Sequence, residues 1–339
     1  MEKNFGRDRK ELRNRIRALL YEQRFDFNRT ALRVFEYQRK YNPLYRKFTE
    51  LLQTKSLEVE RMEDIPCMPV DVFKNHRVYL PEENPEMIFQ SSGTTGQTRS
   101  RHRIPSLNWY REVCMQSFKK HYGSVENYNW IGLLPNYLEQ THSSLIFMLS
   151  EFTKVSDSDC SGLFSHCNQD FFSCVERSVR SGRPTVLIGV SFALLDLAET
   201  GKFNCPDHWI VMETGGMKGR RKEMTRRELH RKLSGAFSIP VIHSEYGMTE
   251  LQSQAYSKGD GRFLPGPLMA VYTREINDPL SVERPGRAGG VNVIDLANFD
   301  TLPFIATMDS GLMREDGSFE ILGRLDGSEA RGCNLMYFN

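Results

Sequence analysis

Short continuous runs of apolar residues alternate with amphipathic segments through the middle of the chain. Apolar strands bounded by Gly, Pro or polar residues are predicted at residues 87–89, 130–134, 185–190, 208–212 and 240–243. The intervening segments 143–152 and 221–237 carry apolar residues at helical spacing. Because strands that are apolar at every position are buried on both faces, this pattern predicts an α/β fold with a parallel sheet covered by helices.

The two ends of the chain have other patterns. Residues 1–53 read as helix and carry twice as many Lys and Arg as Asp and Glu, so they form either a solvated cover or a dock for an acidic partner. From residue 262 onward, Gly, Pro and Asp interrupt short strands. We therefore expect a helical N-terminal segment at 1–85, an α/β core at 86–261 and a β-rich subdomain at 262–339.

Composition excludes several classes of protein. The 339 residues carry a formal charge of only +2, which gives no indication of nucleic-acid binding. The charged N-terminus and the lack of a long apolar stretch predict a cytoplasmic protein without a signal peptide or membrane span. Seven cysteines without a Cys-x-x-Cys pair argue against a disulfide framework and a structural zinc site. The evenly spaced Cys160, Cys167 and Cys174 are interpreted as ordinary thiols.

Six small residues, SSGTTG at 91–96, follow the first predicted strand. Glycines allow a tight turn that points backbone N–H groups at a ligand, and the hydroxyls add donors, so the loop suits a polyphosphate. Gln97 stands where a Walker A loop would have its lysine. With a strand before the loop and a helix predicted after Ser106, a phosphate cradle and a flexible surface loop are both open interpretations.

A second polar motif, EYGMTE at 245–250, follows the strand predicted at 240–243. Ligands bind to open α/β sheets at the carboxyl ends of their strands. Here Tyr246 could stack on a base, Thr249 could donate to a phosphate and Glu250 could hold a magnesium ion. Alone, the motif would be read as a Tyr-Gly turn with a solvated glutamate.

The order of the motifs carries more information than any one of them. SSGTTG at 91–96, TGGMKG at 214–219, EYGMTE at 245–250, an isolated Asp309 and GRLD at 323–326 resemble the core motifs of the adenylate-forming superfamily of acyl-CoA synthetases and phenylacetate-CoA ligases. The resemblance covers most of residues 87–333. It implies a large adenylate-forming core that uses ATP and Mg2+ to activate a carboxylic acid.

The resemblance assigns roles residue by residue. The triphosphate loop would comprise Ser91, Ser92, Gly93, Thr94, Thr95 and Gly96. Gly215 and Gly216 would border the adenine, on which Tyr246 would stack beside Gly247. Thr249 would touch the α-phosphate and Glu250 would bind magnesium. Asp309 would accept hydrogen bonds from the ribose hydroxyls, with Arg324 nearby.

Within the superfamily, the sequence is most similar to the acyl-protein synthetases of bacterial luminescence, the LuxE family. The segment IPCMPVDVFK at 65–74 and the ending RGC at 331–333 carry this likeness. It implies that Cys333 receives the acyl group as a thioester and passes it to a partner such as an acyl reductase. A thiolate attacks an acyl-adenylate readily, and Arg331 could favour the thiolate form.

The resemblance also implies that the small C-terminal lid domain of larger members, with its catalytic lysine, is absent. Candidates for the replacement cation are Lys218, Arg99, Arg101 and Arg103, and the sequence does not choose among them. His142 is a weaker candidate for the carboxylate pocket, since a lone histidine is more often structural. The basic segment around 218–232 is either a solvated helix face or a dock for an acyl carrier protein or coenzyme A.

Three functions stay open on the sequence alone. The first is an acyl-protein synthetase that loads Cys333, and the second is a ligase that hands the adenylate to coenzyme A or a carrier-protein thiol. The third is a nucleotide-binding regulatory subunit with weak catalysis. The sequence does not reveal whether the acid is fatty, aromatic or hydroxylated.

Overall fold

The computed structural model describes residues 2–22, 26–52, 59–92, 98–135, 142–201, 203, 205–216 and 224–325. The α-helices in these ranges are α1 Glu2–Glu22, α2 Phe27–Tyr41, α3 Pro43–Leu51, α4 Val72–Asn75, α5 Leu107–Tyr122, α6 Ser144–Ser156, α7 Gln169–Ser181, α8 Ser191–Glu199 and α9 Arg226–Phe237. The strands are β1 Met68–Pro69, β2 Met87–Gln90, β3 Arg101–Ile104, β4 Asn129–Leu133, β5 Gly162–Phe164, β6 Thr185–Val190, β7 Ile210–Thr214, β8 His243–Tyr246, β9 Ala255–Ser257, β10 Phe263–Pro265, β11 Met269–Arg274, β12 Ala288–Asp295, β13 Phe304–Met313 and β14 Phe319–Arg324.

The chain divides into two compact units. Unit 1 comprises Met1–Gln116, Glu250–Ser253 and Pro265–Asn339, and unit 2 comprises Ser117–Thr249 and Gln254–Leu264. The bounds differ from the three predicted segments, because the N-terminal helices and the C-terminal strands lie together in unit 1. No helix in the described part of the chain is long and apolar enough to cross a membrane.

The N-terminal helices of unit 1 begin and end at polar caps. Asp26 caps α2 by accepting a hydrogen bond from the Arg29 N–H at 3.1 Å. Asn42 ends α2 and caps α3, whose first residue is Pro43, because its side chain accepts from the next two free N–H groups. Residues 1–53, which read as helix in the sequence, contain these three helices.

These helices contact the connection between strands β12 and β13 of unit 1. Arg9 Nε donates to the buried carboxylate of Asp300 at 2.7 Å, and Gln38 donates to the Phe299 carbonyl at 2.8 Å. The strands β11, β12, β13 and β14 form an antiparallel meander, with β1 parallel to β13. The β-rich character predicted for this region is confirmed.

Unit 2 contains the predicted parallel sheet. Its strands are ordered β5, β4, β6, β7 and β8, all parallel, and β9 pairs antiparallel with β8. Every residue of β4 and β6 is buried, which explains their continuous apolar sequence. The prediction of an α/β fold is confirmed, and the carboxyl ends of β6, β7 and β8 lie at one edge of the sheet.

Several predicted bounds are wrong by a few residues. The strand predicted at 240–243 lies instead at His243–Tyr246, since Pro240 lacks an N–H group for a ladder and Val241 is exposed. The helix predicted at 221–237 is seen from Arg226, because Thr225 and Glu228 form a capping box. Residues 221–223 lie outside the described ranges.

Candidate functional site

The predicted triphosphate loop at 91–96 lies in the sequence between two strands of unit 1. Strands β2 and β3 pair as an antiparallel hairpin, with Gln90 opposite Arg101. The helix predicted from Ser106 is confirmed as α5, but it does not follow the loop directly because β3 intervenes. Strand β3 was not predicted from the sequence, because charged residues occupy its outward positions.

Ser91 closes the base of this loop. Its hydroxyl accepts the Ser100 N–H at 3.0 Å, and its own N–H donates to the Ser100 carbonyl at 3.2 Å. Ser92 is exposed beside it. The remaining predicted loop residues, Gly93, Thr94, Thr95 and Gly96, lie outside the described residues.

Glu250 is held close to the base of the loop within unit 1. Its carboxyl hydrogen-bonds with Ser100, and its carbonyl accepts from Asn298 Nδ2 at 2.7 Å. Burial raises the pKa of Glu250, while the Ser100 hydrogen bond and the positive charges of Arg324 and Lys74 act in the opposite direction. Ser100 therefore connects the predicted phosphate loop to the predicted metal ligand.

Glu250 fits the way in which proteins hold magnesium. Mg2+ retains several water or phosphate ligands and commonly takes one or two carboxylates from the protein. No group of three or more His, Cys, Asp or Glu side chains suited to a metal ion occurs in the described ranges. A magnesium ion at Glu250 would thus draw its other ligands from a bound nucleotide and water.

Asp309 and Arg324 form a cross-strand pair in unit 1. They lie opposite each other on β13 and β14, and Arg324 Nε approaches Asp309 Oδ1 to 3.4 Å. The Asp309 side chain is only 11% exposed, whereas that of Arg324 is 74% exposed. A shielded carboxylate beside a solvated cation is suited to accept hydrogen bonds from the hydroxyls of a sugar.

The candidate cations of β3 make the hairpin strongly positive. Burial lowers the pKa of Arg103, and the positive charges of Arg77 and Arg101 lower it further. Its Nη1 atom is buried without a hydrogen-bond partner in the part of the chain that the structure describes. Arg99 is exposed just before the strand, and Lys218 lies outside the described residues.

In unit 2, Gly215 and Gly216 form the turn that follows β7. Gly215 has a φ of +70°, a left-handed conformation that favours glycine, and the Ser191 hydroxyl donates to its carbonyl at 3.0 Å. A Cβ at either glycine would meet no atom of the described residues within 4 Å.

A buried carboxylate lies immediately before this turn. Glu213 accepts from Arg226 Nε at 2.9 Å and from the Ser191 hydroxyl at 3.2 Å, and His230 Nε2 lies 3.4 Å away. Burial raises the pKa of Glu213, but the His230 hydrogen bond and the Arg226 charge outweigh burial, so the pKa is lowered overall. The same His230 nitrogen faces the Ser244 hydroxyl at 3.2 Å, so Nε2 lies between Glu213 and Ser244.

Tyr246 ends β8 at the same edge of the sheet. Its side chain is largely enclosed, with 8% exposed, and its ring packs on Phe263 at 5.9 Å between centroids. Its hydroxyl donates to Met248 Sδ at 3.6 Å. Packing on one side fixes the ring, and Tyr246 lies in β8 itself and not in a loop after the strand predicted at 240–243.

Gly247 follows Tyr246 and is closely approached by a buried side chain. A Cβ at this position would lie 2.5 Å from Glu245 Oε1. Glu245 is itself buried, and its Oε2 accepts the Thr214 hydroxyl at 2.5 Å. Any side chain larger than hydrogen at residue 247 would displace this carboxyl.

The other predicted residues are placed as follows. Thr249 is half-buried in the turn after β8, and His142 is exposed just before α6. Cys333 and Arg331 lie outside the described residues. Cys160 and Cys167 are half-buried and Cys174 is buried, all as free thiols.

Sequence reasoning missed several residues that organise these turns. They are Ser100, Ser191, Glu213, Arg226, His230 and Glu245. Ser191 and Glu213 share one signal, a polar or charged residue within or directly after an apolar strand, where it has no solvent to satisfy it and must find a partner. Arg226 and His230 lie instead on helix α9. The pattern does not show which partner, because the contacts join residues distant in sequence.

Known proteins resemble the chain in sequence and in fold. Residues 12–130 match the family model of acyl-protein synthetases, LuxE. No curated protein matches the full sequence significantly. An open conformation of 2-hydroxyisobutyryl-CoA ligase, in complex with 2-HIB-AMP and CoA, is similar with a TM-score of 0.63 and 13% identity, over 88% of this chain and 70% of that chain.

Two further solved structures share the fold. ATP-bound MatB from Rhodopseudomonas palustris has a TM-score of 0.52 and 19% identity, over 70% of this chain and 47% of that chain. A long-chain-fatty-acid-CoA ligase from Archaeoglobus fulgidus has a TM-score of 0.50 and 16% identity, over 73% and 52% of the two chains. The chain thus has the fold of adenylate-forming enzyme cores and spans about half the length of the MatB structure.

Proposed function

We propose that the protein is an ATP-dependent ligase that activates a carboxylic acid as an acyl-adenylate and then transfers the acyl group to Cys333. The observation that carries this proposal is the placement of the motifs on the sheet of unit 2. The Gly215–Gly216 and Tyr246–Gly247 turns follow the adjacent parallel strands β7 and β8, at the edge where open α/β sheets bind nucleotides. The LuxE match of residues 12–130 and the fold of acyl-CoA ligases support the same class of reaction.

In the proposed first step, a carboxylate oxygen of the acid attacks the α-phosphorus of ATP. A P–O bond to the outer phosphates breaks, and pyrophosphate leaves with the electron pair. Asp309 would hold the ribose, and Thr249 would donate to the α-phosphate. Magnesium at Glu250, with the Ser91 loop and the β3 arginines, would offset the developing negative charge, so positioning and electrostatics supply most of the catalysis.

In the proposed second step, the Cys333 thiolate attacks the acyl carbon of the adenylate. A thioester forms, and AMP leaves as the conjugate base of a good acid. An acyl reductase or an acyl carrier protein would then receive the acyl group. A coenzyme A or carrier-protein thiol in place of Cys333 is the alternative acceptor, and a nucleotide-binding regulatory subunit is the alternative without turnover.

One set of measurements separates these three functions. The wild-type protein is incubated with ATP, magnesium and a panel of fatty, aromatic and hydroxylated acids, and exchange of pyrophosphate into ATP and intact mass are recorded. We expect acid-dependent exchange and an acyl mass increase that is lost in Cys333→Ala but retained in the control Cys167→Ala.

Other outcomes overturn part or all of the proposal. Exchange with thioester formation only on added coenzyme A or carrier protein would reject Cys333 as the acceptor. ATP binding without exchange for any acid would reject catalysis in favour of a regulatory subunit. An adduct that persists in Cys333→Ala would place the acyl group on another residue.

A further inference from the structure

One face of the unit 2 sheet carries both Glu213, which the proposed reaction does not use, and Tyr246. Glu213 lies opposite Ser244 in the parallel pairing of β7 with β8. Because side chains alternate along a strand, Ser244 and Tyr246 share one face of β8, and Glu213 lies on the same face of the sheet. Helix α9 covers this face, since its residues Arg226 and His230 both contact Glu213.

Phe263 packs against the ring of Tyr246. The centroids of the two rings are 5.9 Å apart, and their planes are inclined by 59°. Phe263 is fully buried, so close packing on all sides sets its position. A neighbour of this size at this distance limits the rotation of an aromatic ring. Phe263 therefore restricts the orientations that the plane of the Tyr246 ring can take.

Arg226 packs in turn on the ring of Phe263. The carbon of its guanidinium group lies 4.9 Å from the centroid of that ring, which is a cation–π distance. A Cβ at Gly261 would lie 3.2 Å from Arg226 Cδ, so the aliphatic stem of Arg226 covers the backbone just before Phe263. The first residue of α9 thus holds the segment 261–263 against the helix.

Glu213 fixes the guanidinium group of Arg226. The glutamate is only 1% exposed, and its carboxylate accepts from Arg226 Nε at 2.9 Å. A planar guanidinium can bind a carboxylate with its edge and cover an aromatic ring with its face, which a lysine ammonium cannot do. Contacts therefore run without a break from Glu213, two residues before Gly215, to the ring of Tyr246.

We propose that Phe263 is a positioning residue that sets the plane of the Tyr246 ring for stacking on the adenine of ATP, and that Arg226 holds Phe263 in place. This role rests on the proposed function, which takes Tyr246 as the residue on which the base stacks. A ring whose plane is fixed before binding loses little rotational freedom when a flat base packs on it, so the complex is tighter.

A double-mutant cycle in ATP affinity, measured by titration calorimetry with magnesium present, tests this role. Tyr246→Leu removes the stacking ring and should raise the dissociation constant of ATP about tenfold. Phe263→Leu keeps an apolar side chain but supports the tyrosine ring less well, and should raise the constant about fivefold. If Phe263 acts only through Tyr246, the double variant should bind ATP no more weakly than Tyr246→Leu. Independent effects would multiply to roughly fiftyfold and would overturn the inference.

Two controls separate a positioning role from a general loss of stability. Tripolyphosphate has no base, so its affinity should be the same in Phe263→Leu as in the wild type. Phe237→Leu changes another fully buried phenylalanine at the far end of α9, roughly 16 Å along the helix from Arg226, and should leave ATP affinity unchanged. Equal weakening of tripolyphosphate and ATP, or equal weakening of ATP binding in both phenylalanine variants, would show that Phe263 only supports the fold.

Arg226→Lys tests the contact behind Phe263. Lysine keeps a positive charge beside Glu213 but has no planar group to cover the ring. The variant should therefore raise the dissociation constant of ATP about threefold and leave that of tripolyphosphate unchanged. An ATP affinity equal to that of the wild type would overturn the role of Arg226.

The single variants also distinguish a failure of this role from a failure of the proposed function. No ATP binding by the wild-type protein, or unchanged ATP affinity in Tyr246→Leu, would reject the adenine site on which both depend. Weaker ATP binding in Tyr246→Leu together with wild-type affinity in Phe263→Leu would overturn the inference alone and would leave the proposed site in place.

Discussion

Replacing Asp295 with Asn tests how strongly one buried carboxylate fixes the turn that follows Glu250 in unit 1. Asp295 is fully buried at the end of β12. It accepts four hydrogen bonds: from Gln252 N–H at 2.7 Å, Ser253 N–H at 2.9 Å, Ser253 Oγ at 2.6 Å and Ala297 N–H at 3.1 Å. Burial raises the pKa of Asp295, and the hydrogen bonds from Ser253, Gln252 and Ala297 oppose that shift.

The expected cost follows from the donors that an amide cannot satisfy. The Asn oxygen can still accept hydrogen bonds, but its NH2 group would face N–H or O–H donors that then lack a partner. Two buried unsatisfied donors at about 1–3 kcal/mol each predict a loss of about 4 kcal/mol in the free energy of unfolding. Because the turn carries Glu250, the rate of pyrophosphate exchange should fall with it.

Urea denaturation measures the first effect, and Asp278→Asn is the matched control. Asp278 caps a comparable turn through Leu280 N–H at 3.2 Å and the Ser281 hydroxyl at 2.5 Å, but in an exposed position. Because water can replace the contacts of Asp278, the free energy of unfolding of this variant should fall by less than about 1 kcal/mol. Equal losses in the two variants, or a loss below about 1 kcal/mol in Asp295→Asn, would refute the reasoning that burial sets the cost.

Three further variants have defined outcomes. If Asp309 binds the ribose as proposed, Asp309→Asn should raise the ATP dissociation constant about tenfold at an unchanged urea midpoint, because the proposed acceptor loses its charge. Unchanged affinity in titration calorimetry would contradict that role. Gly215→Ala should lower the free energy of unfolding in urea by about 1 kcal/mol through its φ of +70°, since no atom of the described residues lies within 4 Å of a Cβ there. A neutral effect would show that the turn adapts. Arg226→Met removes the 2.9 Å ion pair of the buried Glu213 carboxylate. The free energy of unfolding in urea should therefore fall by about 3 kcal/mol at pH 7. Because Arg226 helps to lower the pKa of Glu213, this cost should shrink in acid, and a cost that is independent of pH would argue against an ion pair.

The parallel sheet could be predicted because strands β4 and β6 are apolar at most of their buried positions. Strand β6 was expected at its observed bounds, and β4 differs by one residue at each end. Strand β8 was misplaced because its buried residues are polar, with Ser244 and Glu245 satisfied by side chains from other segments. The tertiary fold determines such partners, and the periodicity of a single segment does not reveal them.

The motifs of the candidate site could be identified from the sequence, but the buried residues that hold those motifs in place could not. Gly215, Tyr246 and Asp309 could be singled out because they follow or lie on strands in a recognisable order. Glu245 could not be distinguished from a solvated glutamate, because its burial depends on the pairing of β8 with β7. The need for glycine at residue 247 could not be predicted either, because the Glu245 carboxyl that excludes a side chain there is brought close only by the fold.

The fate of the acid's oxygen atoms tests the central claim most directly. The wild-type protein is incubated with ATP, magnesium and a carboxylic acid labelled with oxygen-18, chosen as the one that supports the fastest exchange, and the nucleotide products are analysed by mass spectrometry. Attack of the carboxylate on the α-phosphorus predicts AMP that carries one labelled oxygen, with pyrophosphate as the second product. Unlabelled AMP, or ADP and phosphate in place of AMP and pyrophosphate, would contradict the account.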